Sequence, residues 1–248
     1  MSELYSAAFV EHQSRAVDGA AVPLSVPGLR GVVGGRDVRL LVSDDRSYDR
    51  FAAAVAAAGR GFANVFERAA RCGELLRGRP GWTADRPSSA MVLRDLHAVP
   101  DVELPDNLAL RPVSMGAASP GSVALEDAVA VAIASDPGIT DPAAGFAAFL
   151  RGLPPSVRLF TAVDEDGVVR ATCGCDVAGS HARIFFVNTE PGRRRRGIGR
   201  AMTAAALRES ASSGARHAFL HATADGASVY ASLGFEPVGQ LTRYSLAV

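Results

Sequence analysis

Residues 182–210, ARIFFVNTEPGRRRRGIGRAMTAAALRES, constrain the fold more than any other stretch. Ile184 to Val187 is apolar and β-prone, and Pro191-Gly192 stops it. Four arginines, Arg193 to Arg196, then precede Gly197-Ile198-Gly199. Ile198, Met202, Ala205 and Ala206 recur at i, i+4, i+7 and i+8, the spacing of one buried helix stripe. The pattern predicts a strand, a tight loop and a helix. Bare backbone N–H groups flanked by guanidinium groups then sit at the positive end of a helix dipole, where phosphates bind. Glycine lets that backbone approach a pyrophosphate which a Cβ would hold off.

The chain has 248 residues, 48% of them hydrophobic, enough for one large or two small cores. No apolar run approaches the ~20 residues of a membrane span. The start MSELYSAAF lacks a basic flank before an apolar stretch, so no signal peptide is expected. The net charge of +0 argues against a general nucleic-acid binder. The basic residues are arginine throughout, which with the Ala and Gly content reflects base composition rather than function. An odd cysteine count (Cys72, Cys173, Cys175) fits a reducing, cytoplasmic setting. Cys173-Gly-Cys175 is too short for a zinc half-site and has no second half, so it reads as two strand cysteines on one face, and no metal is expected.

Residues 1–100 read as an N-terminal α/β lobe. Short strands are predicted around Val32-Val33, Val38 to Val42 and Ala90 to Leu93. Ser43-Asp44-Asp45 caps a helix carrying Phe51, Val55 and Ala58. A second helix is predicted over Phe62 to Leu76, with Phe62, Val65, Phe66, Ala69 and Ala70 on one face, and Trp82 falls in a loop. His12 and His97 read as structural or surface residues. Residues 101–107, polar and proline-flanked, are the expected linker.

Residues 108–248 read as a second domain. Leu108 to Val113 is a strand. Ser119-Pro120 starts a helix burying Leu125, Val129 and Ile133, and Ser135 to Gly138 breaks it. Asp141-Pro142 starts another, with Phe146, Phe149 and Leu150 inward. Arg158 to Val163 and Val168 to Val177 form a hairpin, followed by the central strand and the motif helix. His217 to Ala222 is a strand, Ala227 to Leu233 a short helix, and Leu241 to Ala247 closes the sheet. The order is β, α, α, β, β, β, α, β, α, β.

Arg194-x-x-Gly197-x-Gly199 matches the (Gln/Arg)-x-x-Gly-x-(Gly/Ala) motif of the GCN5-related N-acetyltransferase (GNAT) family, with Pro191 at the family spacing. Tyr230-Ala-Ser-Leu-Gly234-Phe235 resembles the family's Tyr-x-x-x-Gly-Phe segment. Two motifs in the right order and distance are far more specific than either alone. The resemblance covers roughly 108–248. It implies an α/β mixed sheet of the acyl-CoA N-acyltransferase fold, to which the N-terminal lobe adds either a degenerate second half of the same fold or a separate cap.

The resemblance further implies acetyl-CoA as donor. The loop from Arg194 through Ile198 to Gly199 would hold its pyrophosphate, with Arg195, Arg196 and Arg200 supplying charge. The backbones of Val187 and Thr189 would pair with the pantetheine arm, with Asn188 turned to the opposite face. Thr223 stands where many members carry a cofactor-touching asparagine. Tyr230 is the candidate acid for the departing thiolate. A base is not singled out among Glu126, Asp127, Asp176, His181 and His221. The expected activity is N-acetylation of a primary amine in a ternary complex, with a small-molecule or peptide acceptor, as monomer or homodimer, without nucleic acid or membrane. The alternative is an acyl-CoA-binding sensor without turnover. A dinucleotide fold is disfavoured by the missing third glycine and the missing acid, and a triphosphate loop by the missing Gly-Lys-(Ser/Thr).

Overall fold

The computed structural model describes residues 2–15, 22–105, 107–116, 119–136, 139 and 142–246. In chain order the elements are α1 (Glu3–Ser14), β1 (Val22–Val26), β2 (Leu29–Gly34), β3 (Asp37–Val42), α2 (Tyr48–Ala57), β4 (Arg60–Phe66), α3 (Ala70–Arg77), β5 (Trp82–Ala84) and β6 (Ser88–Leu93). There follow β7 (Ala109–Ser114), β8 (Val123–Ala124), α4 (Leu125–Ser135), α5 (Ala143–Arg151), β9 (Val157–Val163), β10 (Val169–Ala178), β11 (His181–Thr189), α6 (Ile198–Ser212), β12 (His217–Ala222), α7 (Ala227–Ala231) and β13 (Glu236–Leu246). Among the residues that the sequence assigned, Asp106, Pro137, Gly138, Asp141 and Ala247 lie outside the described set.

The described residues divide into two compact units. One takes those within 1–92, 221–225 and 236–248; the other takes those within 93–220 and 226–235. A division at 101–107 misses this arrangement, because β13 pairs antiparallel with β4, β5 and β6 across more than 140 residues of chain. Polar, proline-flanked sequence marks a stretch without regular structure, and nothing local announces which strands a distant one will join.

In the first unit the sheet order is β1-β2-β3-β4-β13-β6, with β5 also on β13. An antiparallel meander β1–β2–β3 leads through α2 to β4, which runs parallel to β3, and then to α3. Val38, Leu40, Val42, Ala63 and Val65 pack with Phe51, Val55, Cys72 and Leu76 of α2 and α3. Edge-to-face ring contacts join α1 to the sheet, Tyr5 with Phe66 and Phe9 with Phe62. β4 was expected to be helix. Phe62 through Phe66 are all buried, so no period of two shows in the sequence, and an apolar run of that kind is ambiguous between strand and helix. Trp82, expected in a loop, opens β5 opposite Leu246.

In the second unit the order is β12-β11-β10-β9-β7-β8. The β9–β10 hairpin, the central strand and the following parallel strand fall as expected. Ala128, Val129, Ala147 and Leu150 of α4 and α5 pack against Val157 and Leu159. Cys175 bonds Ser210 of α6 and, with Cys173, is buried, so the two cysteines share the α6 face as a strand's alternation requires. Two helices differ from expectation. α4 begins at Leu125 because Ser119 and Ser122 bond each other and Gly121 (φ +79°) turns left-handed, an alternative the helix loses to. Phe149 of α5 is 61% exposed; Leu150 faces inward as expected, and Ala147 does so in place of Phe149.

One cap in the first unit is tertiary. Asp44 bonds the nearby amide of Arg46, as a local cap should. Asp45 instead accepts from the amides of Arg71 (3.2 Å) and Cys72 (3.0 Å) at the start of α3. Asp45→Ala removes the cap of a helix that has no other side-chain cap, and urea unfolding should show a loss of about 1 kcal/mol. An unchanged midpoint would mean solvent satisfies those amides equally well.

Candidate active site

β11 pairs with β12 at His181–His217, Ala182–Ala218 and Arg183–Phe219, and among the described residues the ladder ends there. Its other edge stays paired with β10 as far as Ala171–Thr189. From Ile184 to Thr189 one edge of β11 therefore has no strand partner among the described residues, and the backbone groups there that no side chain takes can serve an extended ligand carrying amides. Within that stretch lies a bulge: Thr172 pairs with Asn188 and Gly174 with Phe185, so Phe186 and Val187 together oppose Cys173. Phe186 takes φ +57°, and its carbonyl accepts from Thr172 Oγ1 at 2.8 Å. Asn188 donates to Thr172 Oγ1 at 3.2 Å, which commits its side chain to the neighbouring strand.

The loop after Thr189 turns through Pro191–Arg193 and reaches α6 at Gly197 (φ 81°, ψ −3°). A left-handed residue followed by a helical one makes successive amides converge, and the first N–H groups of a helix have no carbonyl one turn earlier to bond. No side chain caps α6. A Cβ placed on Gly197 meets no atom within 4 Å, so a side chain there would meet open space. A Cβ on Gly199 would lie at an ordinary 3.6 Å from Thr189 Oγ1, so alanine fits there. Backbone handedness thus calls for glycine at Gly197, whereas the contacts at Gly199 admit a small side chain.

The arginines divide by partner. Arg193 reaches Asp164 (3.7 Å) and Glu190 (4.0 Å), and Arg170 bonds the same two carboxylates at 2.7 and 3.0 Å. The Val168 amide, and then Arg170, hold the Asp164 carboxyl below the usual carboxylate range. Arg194 donates to the Thr189 carbonyl at 3.2 Å and to that of Ser135, the last residue of α4. Its guanidinium therefore ties the loop to a helix C-terminus instead of standing free for an anion. Arg195 (φ +64°) and Arg196 are exposed, and Arg200 has its Nε buried without a protein partner. The ties made by Asp164, Arg170 and Glu190 escaped the sequence reading; only Asp164, by its Asp-x-x-Gly turn, carried a local signal.

Tyr230-x-x-x-Gly234-Phe235 is a helix-ending device. The Phe235 amide bonds the Tyr230 carbonyl (3.1 Å), the Gly234 amide bonds that of Ala231 (3.0 Å), and Gly234 is left-handed (φ +92°). The Tyr230 and Phe235 rings meet edge to face at 6.0 Å, the apolar contact such an ending carries. The ring is thereby fixed. Burial, with a smaller push from Cys173, holds the phenol well above the usual tyrosine range, so it carries its proton at any physiological pH.

The other named residues have partners of their own or belong to the first unit. Thr223 belongs to the first unit, as does His221, which bonds the Tyr5 hydroxyl. Glu126 is ion-paired with Arg151, Asp176 accepts from Ser156 at 2.6 Å, and His181 lies against His217. Among the described residues no group of three metal-ligating side chains occurs, and no helix is long and apolar enough to cross a membrane.

Residues 155–237 match the family model described as acetyltransferase (GNAT) domain, so this segment, which carries the α6 loop and Tyr230, is a GNAT domain. No curated protein sequence matches the chain. Among solved structures it resembles a GCN5-related N-acetyltransferase from Kribbella flavida (18% identity, 98% of this chain and 94% of that one, TM-score 0.62). A GCN5-related N-acetyltransferase from Sphaerobacter thermophilus is similar at 16% identity over 89% of this chain and 78% of that one (TM-score 0.58). A tandem GNAT protein from the clavulanic acid biosynthesis pathway is similar at 17% identity over 89% and 79% (TM-score 0.53). At these identities the likeness is one of fold, and it extends over nearly the whole chain.

The cysteines allow a direct check of this interior. Burial raises Cys175 to about 11, burial and then the Asp45 hydrogen bond raise Cys72 to about 12, and Cys173 is pushed up further by burial and by Cys175. Only the thiolate reacts, so at pH 8 about one Cys175 in a thousand is in the reactive form. A thiol-reactive disulfide reagent should find no fast-reacting thiol in the native protein and three in urea. A fast native thiol would contradict this burial.

Proposed function

We propose that the chain is an acetyl-CoA-dependent N-acetyltransferase that transfers acetyl directly to a primary amine in a ternary complex. The reading is carried by one observation: an unpaired edge of β11 runs into a left-handed glycine and the uncapped start of α6. The residues fit the donor. A side chain at Gly197 would meet open space at the uncapped start of α6, Arg195, Arg196 and Arg200 supply charge, and the edge of β11 at Val187 and Thr189, which has no strand partner there, suits an arm rich in amides. Acetyl-CoA would supply the activated acyl thioester.

The protein's part is to position and to hold protons. Bond making joins the amine nitrogen to the acyl carbon, and bond breaking frees the coenzyme sulfur as a thiolate. The amine loses one proton and the sulfur gains one. The Tyr230 hydroxyl, protonated and bonded to no protein group among the described residues, donates to that sulfur. Its raised pKa makes full transfer uphill, so it acts chiefly as a hydrogen-bond donor while the proton shed by the amine completes the exchange. The Val187 amide, beside the bulge, polarises the acyl oxygen. The protein works in the cytoplasm as monomer or homodimer, without metal.

Two substitutions test donor binding and chemistry separately. Gly197→Glu puts a carboxylate into an anion corner on left-handed backbone, and calorimetry should show acetyl-CoA affinity falling by about a hundredfold or more. Tyr230→Phe should keep that affinity and lower coenzyme thiol release by about ten- to a hundredfold. Normal binding by Gly197→Glu would disprove the loop assignment. Saturable binding by the wild type with no acetylated amine would favour a sensor.

A further inference from the structure

We infer that Thr172 is a positioning residue for acyl transfer: its buried hydroxyl aims the Val187 amide at the acyl oxygen. The inference rests on the acetyltransferase reading and adds to it a residue of the neighbouring strand. Thr172 lies in β10, is fully buried, and pairs with Asn188 of β11. Its hydroxyl donates to the Phe186 carbonyl at 2.8 Å and accepts from the Asn188 side chain at 3.2 Å. One hydroxyl proton and one lone pair are thus committed to the residues on either side of Val187.

The Phe186 carbonyl and the Val187 N–H belong to one peptide unit. That unit is trans and planar, so its C=O and N–H point opposite ways. The Thr172 bond draws the carbonyl toward β10. The Val187 N–H therefore points away from β10, to the edge of β11 that has no strand partner among the described residues. Phe186 sits at φ +57°, which its Cβ disfavours, and such backbone persists only where its surroundings fix it. The Thr172 hydroxyl is one such restraint. A donor to a developing oxyanion works by its aim, because it must already point where charge will appear. Without the hydroxyl the Phe186 carbonyl has lost its partner, and the peptide can turn to find another.

The test uses the full chain, acetyl-CoA, and ethanolamine, 2-phenylethylamine and spermidine as probe acceptors, read as coenzyme thiol release. Thr172→Val keeps the side-chain shape without the hydroxyl. It should lower kcat by about tenfold or more while acetyl-CoA affinity stays within about twofold. Thr172→Ser should restore kcat to within about threefold of the wild type. Asn188→Ala, which removes only the second bond at a half-buried position, should fall between and serves if Thr172→Val does not fold. A readout that needs no acceptor is the Val187 amide in NMR. It should shift further when acetyl-CoA replaces coenzyme A in the wild type and in Thr172→Ser, and not in Thr172→Val. An unchanged kcat in Thr172→Val, a serine variant as slow as the valine one, or a wild-type Val187 amide that ignores the acetyl group overturns the inference and leaves the acetyltransferase reading standing. Failure of acetyl-CoA to bind removes both.

Discussion

The structure turns on two parallel strands that pair and then part. Three residue pairs hold β11 to β12, and beyond Arg183 that edge of β11 has no strand partner among the described residues. Backbone groups in that position need partners. The first unit shows the contrary case with the same local order of meander, helix, parallel strand and helix. There β3 and β4 stay paired from Asp37–Arg60 to Val42–Val65, leaving no open edge between them. The loop before α2 carries Asp44 and Asp45, whose carboxylates occupy the amides of Arg46, Arg71 and Cys72. In the first unit an acid takes the amides at the start of α3, and in the second the start of α6 is left uncapped among arginines.

The four consecutive arginines show how position assigns chemistry to one residue type. Arg193 completes a carboxylate network around Asp164 and Glu190, and Arg194 bonds two carbonyls, one of them at the end of α4. Both roles use the fork of the guanidinium to order the loop. Only then do Arg195, Arg196 and Arg200 stand on a backbone held in shape. Preorganisation of this kind lowers the ordering cost of binding a diphosphate.

Much of this site was legible in the sequence because breakers and periodicity coincide there. Pro191 and Gly192 end a β-prone run, and Gly197 precedes a helix stripe, so strand, loop and helix each carry a local signal. Gly234-Phe235 was visible as a motif, and its physical content is a helix ending that fixes the Tyr230 ring. What was not legible depends on distant partners. β4 is buried on both faces and lost its period. Asp45 caps a helix that starts 25 residues later. The bond from the Arg194 guanidinium to the Ser135 carbonyl joins residues 59 positions apart and has no local signal. The bulge at Phe186 has no glycine to announce it.

The central claim is that a diphosphate occupies the corner made by the amides at the start of α6. Amide-resolved NMR of the full chain during titration with coenzyme A tests it directly. The account predicts saturable shifts of the Gly197, Ile198 and Gly199 amides, with the Val187 and Thr189 amides following when the pantetheine arm is present and not when adenosine 3′,5′-bisphosphate replaces it. Saturation that leaves the Gly197 to Gly199 amides unmoved would contradict the account.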